Sequence, residues 1–88
     1  MYQITDYSYR QAKILGVEIK PSTNKTKKID VFKNGKKIAI IGAIGYKDYP
    51  TFIKEKGKAY ADERKRLYHI RHAKDKSLNG YYAKKILW

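Results

Sequence analysis

Cysteine is absent from the 88 residues, which excludes disulfides, thiolate zinc sites and cysteine nucleophiles together. That absence fits a reducing compartment. No stretch approaches the ~18 consecutive apolar residues of a membrane span. The opening Met1-Tyr2-Gln3-Ile4-Thr5-Asp6 lacks the basic, then apolar order of a secretory signal. The chain is therefore expected in the cytosol or in a particle assembled there, with no membrane partner. Acids are the other scarcity: only eight Asp and Glu occur, scattered singly. Acid–base catalysis needs paired groups in one dry pocket, so the reading is of a non-enzyme with no catalytic residue.

Two weaker motifs fall away on similar grounds. His69 and His72 have a spacing that can hold a metal, with Asp75 as a third ligand. Lys65 and Arg66 beside them would repel a cation, so neither a metal nor a cofactor is expected. Gly42-x-x-Gly45 is too sparse for a phosphate loop and reads as sharp backbone turning.

What the chain has in abundance is positive charge. Twenty-one Lys and Arg give a formal charge of +13 and a pI near 9.9. Such an excess repels itself on compaction. A polyanion whose counterions are released on contact would relieve it, and nucleic acid is the first candidate. Hydrophobic residues at 42% and aromatics at 14% are too many for a disordered polycation. Residues 1–88 therefore read as one folded basic domain, small enough to bury only roughly 60–65% of its unfolded surface.

Asn34-Gly35 is the preferred pair for a two-residue type I′ hairpin. It sets Lys33 opposite Lys36, Phe32 opposite Lys37, Val31 opposite Ile38 and Ile29 opposite Ile40. Ile29, Val31, Ile38 and Ile40 then share a core face. Alternation of Leu15, Val17 and Ile19 predicts a preceding strand, and Pro21-Ser22-Thr23-Asn24 supplies its turn. Tyr2 to Ile4 could add a short edge strand, with residues 1–10 as an N-terminal arm. Residues 42–56 read as a structured loop, because Pro50 biases Tyr49 away from helix. From Gly57 to about Lys74 the composition favours one main helix. Its apolar side is expected to hold Ala59, Tyr60, Leu67 and Ile70, with Arg64 and Tyr68 at the margin and Glu63 paired to Arg64, Arg71 or a tyrosine. Asn79-Gly80 punctuates the chain, and residues 81–88 form an aromatic tail whose Ile86, Leu87 and Trp88 pack back onto the body. The fold class is thus α+β, a small antiparallel three-stranded sheet packed against one main C-terminal helix.

Two cationic patches are the expected nucleic-acid contacts. The ribbon offers Lys25, Lys27, Lys28, Lys33, Lys36 and Lys37 around Phe32, the candidate stacking group. The helix offers Lys58, Lys65 and Arg66. Lysines outnumber arginines here, which favours phosphate contact over base readout and so low sequence specificity.

Gly45-Tyr46-Lys47-Asp48-Tyr49, then Arg64 and Tyr68, Arg71-His72, Gly80-Tyr81 and Leu87-Trp88, with Ser8 and Arg10 near the start, form an ordered pattern. The chain resembles a family of small basic proteins encoded by giant DNA viruses and tailed phages. It departs from that pattern at Thr51 to Lys54, where the family often has His, and in its shorter Asp75–Asn79 link. The resemblance implies a viral or phage origin and brings no activity with it. The expected protein is a nucleic-acid binder in the host cytoplasm or virion, with DNA favoured over RNA. The alternatives are a virion component held by capsid or other virion proteins, and a host-directed inhibitor.

Overall fold

Asn34 and Gly35 adopt φ values of 54° and 78°, the left-handed pair a type I′ turn requires. A computed structural model describes residues 2–88, so Met1, the first residue of the expected arm, lies outside it. The chain runs α1 (Asp6–Leu15), β1 (Glu18–Pro21), β2 (Lys27–Lys33), β3 (Lys36–Ala43), α2 (Tyr49–Lys56), α3 (Lys58–Arg71) and α4 (Leu78–Ile86). The three strands form an antiparallel meander in the order β1-β2-β3. This is the expected α+β architecture, with its hairpin, its long helix in the C-terminal half and its aromatic tail.

The hairpin register departs from expectation beyond the first two pairs. Lys33 faces Lys36 and Phe32 faces Lys37, but Val31 faces Ala39 and Ile29 faces Ile41, because a bulge lies between Val31 and Phe32. One extra residue on a strand reverses the faces beyond it. Ala39 and Ile41 are therefore buried with Ile29 and Val31, while Ile38 and Ile40 are only half-buried. Ile4, Ala12, Ile19, Tyr82, Ile86 and Leu87 complete this core from α1, β1, α4 and the chain's two ends.

Three helices replace segments expected as arm, loop or tail, and each has a side-chain cap. Residues 2–5 are not a strand, and from Asp6 the expected arm is α1. Thr5 accepts the Ser8 amide at its start, and Gly16, at φ 72°, ends it. The alternation of Leu15, Val17 and Ile19 spans the junction, since Leu15 belongs to α1. Ser8 is buried, and its hydroxyl donates to the Ile86 carbonyl at 2.9 Å, tying α1 to α4. Asp48 caps α2, accepting the Thr51 amide at 3.2 Å. Pro50 sits in the first turn of α2, where a missing N–H costs nothing. Ser77 caps α4 by accepting the Gly80 amide at 3.0 Å. Asn79-Gly80 is thus part of a helix rather than a break. A Cβ at Gly80 would strike the Asp75 carboxylate, which would have to swing aside.

α3 forms as expected but turns a different side inward. Ala59, Tyr60 and Ile70 are exposed, while Ala61 is buried and Arg64, Lys65, Tyr68 and His69 are half-buried, as is Leu67, which alone of the expected apolar side faces inward. The helix packs on α2 and against the tail through rings and the stems of long cations, without an aliphatic stripe. Tyr68 stacks on Trp88, centroids 4.4 Å apart and planes 9° from parallel. Ile86 and Leu87 are buried as expected.

Candidate functional site

Three parts of the chain enclose a cleft of about 590 Å³. Its first wall is the cleft end of the ribbon, with Lys27 and Lys28 at the start of β2 and Gly42 near the end of β3. Its second is the β3–α2 connection, which brings Gly45, Tyr46 and Lys47. Its third is the inner side of α3, with Arg64, Tyr68, Arg71 and His72, met by Trp88. A shallower cavity of about 410 Å³ shares Lys28, Gly45, Tyr46 and Lys47 and adds Lys25 and Tyr2. Among the described residues no Asp or Glu lines either cavity.

Positions 64, 68 and 71 are one and two helical turns apart, so they share a face. The Arg64 guanidinium lies 5.6 Å from the Phe52 ring centroid, and the His72 ring lies 4.3 Å from that of Tyr68. Burial, with the charge of Asp75, pushes the Tyr68 phenol up against the opposing effect of Arg71. It stays neutral. Partial burial holds the neighbouring His69 below its ordinary value, helped by Lys65, Lys84 and Lys85 and opposed by a hydrogen bond to the Trp88 backbone.

The cleft's floor is set by a buried ion pair. Lys28 Nζ lies 3.1 Å from Asp48 Oδ2 and also donates to the Tyr46 carbonyl. Tyr2 donates to the same carboxylate oxygen at 2.6 Å, and Thr51 donates its hydroxyl to the other at 2.6 Å. Burial alone would raise the Asp48 carboxyl, but the bonds from Thr51 and Tyr2 and the Lys28 charge hold it below the usual carboxylate range. Burial and the Asp48 hydrogen bond push the Tyr2 phenol well up. Gly42 closes the floor at φ 77°: a Cβ there would come within 2.7 Å of Leu87 Cδ1 and 2.9 Å of Lys28 Cδ.

Several expected contacts are corrected by this geometry. Lys28 is 5% exposed and paired, so its charge is structural and cannot reach a phosphate. The ribbon lysines do not form one cluster. Lys25 and Lys27 stand at the cleft end, while Lys33, Lys36 and Lys37 stand at the turn, about 20 Å away along β2. Lys37 pairs with buried Asp30 at 3.2 Å. Phe32 is half-buried and takes the Lys20 ammonium 5.3 Å from its ring centroid. On the helix, Lys58 pairs with Asp62 at 2.8 Å, and Arg66 pairs with Glu63, which does not face the body as expected. Lys65 lies over the Tyr49 ring at 4.7 Å. Lys25, Lys27, Lys33 and Lys36 are in no ion pair among the described residues.

The cations facing the cleft, Arg64 and Arg71, and its rings, Tyr46, Tyr68 and Trp88, were not among the contacts expected from composition. Their sequence signal was the helical spacing 64-68-71 and the ordered pattern that carried the resemblance, most of which converges on this one cleft. The chain matches no protein-family model, no curated protein and no solved structure.

Proposed function

We propose that this is a non-enzymatic nucleic-acid-binding protein of viral or phage origin that contacts chiefly phosphates with low sequence specificity. The carrying observation is the acid-free cleft onto which Lys27 from the ribbon and Arg64 and Arg71 from α3 converge. Five of the 21 Lys and Arg are in ion pairs, which leaves sixteen without a carboxylate partner among the described residues. That surplus is what a polyphosphate neutralises. The buried acids have structural work instead. Asp30 accepts from Ser22 at 2.6 Å and pairs with Lys37, and both oxygens of Asp48 are engaged, so neither serves as a general base.

Binding that engages about six phosphates should fall with salt at a log–log slope of roughly −5 on duplex DNA. Filter binding or anisotropy across a salt series measures it. The double change Lys27→Glu and Arg71→Glu should lower affinity alike on unrelated sequences. A slope near zero would refute the reading, and a loss confined to one sequence would mean base readout.

A further inference from the structure

The cleft has more aromatic surface than phosphate contact requires. Tyr46, Phe52, Tyr68 and Trp88 all line it, between the cations just described. Three of these rings are already packed on one another. Tyr68 is stacked on Trp88, and Phe52 lies 6.0 Å from Trp88 at a 46° tilt. Tyr46 is different. The residue is 76% exposed, it stands on the loop that borders both cavities, and no ring or cation is placed against it among the described residues. Only its backbone is held, the carbonyl by Lys28 and the amide by the Ala43 carbonyl.

We propose that the cleft takes an unpaired base of a single-stranded nucleic acid, held between Tyr46 and the Tyr68–Trp88 stack, with the flanking phosphates on Lys27, Arg64 and Arg71. This rests on the polyanion reading above and narrows it to a strand type. Aromatic rings can stack on a base only where its faces are free, which a duplex denies and a single strand allows. The volume suits such a ligand, since about 590 Å³ falls within the ~300–1,000 Å³ of sites that enclose a small ligand. Cation placement fits as well. Arginines at one wall and a lysine at the other would follow the backbone to either side of an inserted base, and no carboxylate stands in the way. A duplex can meet Lys27 and Arg71 through its phosphates from outside the cleft, but it places no base within it.

Trp88 is the only tryptophan, so its fluorescence reports occupancy of the cleft directly. The experiment titrates the protein with labelled oligodeoxyuridylate, oligouridylate and a duplex of equal length, following anisotropy and tryptophan emission together. Single strands should quench Trp88, and the duplex should bind without quenching. The relative strength of the two single strands identifies the preferred sugar. Tyr46→Ala should weaken single-strand binding roughly 5- to 150-fold, the loss that follows removal of one stacking ring, and leave duplex affinity unchanged. Its side chain lies outside the core, so folding is preserved, and a matching thermal melt verifies this. Equal quenching by duplex, or an unchanged single-strand affinity in Tyr46→Ala, overturns the inference while polyanion binding stands. Failure of every probe to bind at low salt removes both.

Discussion

Lys28 shows how little a residue's type says about its role when its partner lies far along the chain. It stands in a lysine-rich stretch, yet its ammonium is enclosed by Asp48 and the Tyr46 carbonyl. Nothing local to Lys25-Thr26-Lys27-Lys28 signals this, because Asp48 approaches only once the β3–α2 connection folds over the ribbon. A buried pair of this kind has a clear energetic signature. Removing one member leaves the other charged and desolvated, which costs about 3–5 kcal/mol. Lys28→Met should therefore lose about that much stability in urea unfolding, whereas Lys25→Met, three residues away and exposed, should stay within about 0.5 kcal/mol. Equal small losses would mean that Thr51 and Tyr2 alone satisfy Asp48. The turn was legible for the opposite reason: Asn34-Gly35 dictates its geometry through its own two residues.

Elements were readable where their signal was long or their turn chemistry strong. The hairpin and α3 met those conditions. α1, α2 and α4 are only 10, 8 and 9 residues long, too short for periodicity to outweigh Pro50 or the strand-like alternation after Leu15. Their caps at Thr5, Asp48 and Ser77 were present in the sequence, and each could have marked a start. The bulge between Val31 and Phe32 had no such mark, since Ile38, Ala39, Ile40 and Ile41 are nearly uniform in polarity. The cleft was legible only in pieces, because its walls come from three separate elements. α4 also solves a problem created by the sheet. β3 is an edge strand, and the Asn79 side chain accepts its Ile40 amide at 3.0 Å. Asn79→Ala should cost about 1 kcal/mol and free that edge for pairing with another copy. Urea unfolding and light scattering measure the two effects, and a variant as stable and as monodisperse as the parent would show that the edge needs no cover.

At the scale of the whole molecule, folding and binding should respond to salt in opposite directions. The chain confines a charge of +13 within 36 × 28 × 25 Å. Much of that repulsion acts across distances comparable to or longer than the ~8 Å Debye length at physiological ionic strength. Salt screens the repulsion and stabilises the fold. It weakens the exposed pairs too, but three of the five ion pairs among the described residues are between exposed side chains, where such pairs are worth only ~0–1 kcal/mol. Net repulsion should win. Thermal melts in rising NaCl are expected to gain several degrees, since 1 kcal/mol is worth about 4–8 °C at this size, while nucleic-acid affinity drops over the same range. Acid sharpens the test. Asp48 and Asp30 are both held below their ordinary value of 3.8. The stability they confer is complete above that pH and is lost as pH falls through their lowered values. Protonating all eight acids meanwhile drives the charge from +13 towards +21. Added salt should recover the part of that acid loss due to repulsion and none of the part due to the two buried carboxylates. A melting temperature that instead falls with NaCl at pH 7 would mean that the ion pairs outweigh the surplus charge. Relief of self-repulsion would then lend the fold no stability when a polyanion binds.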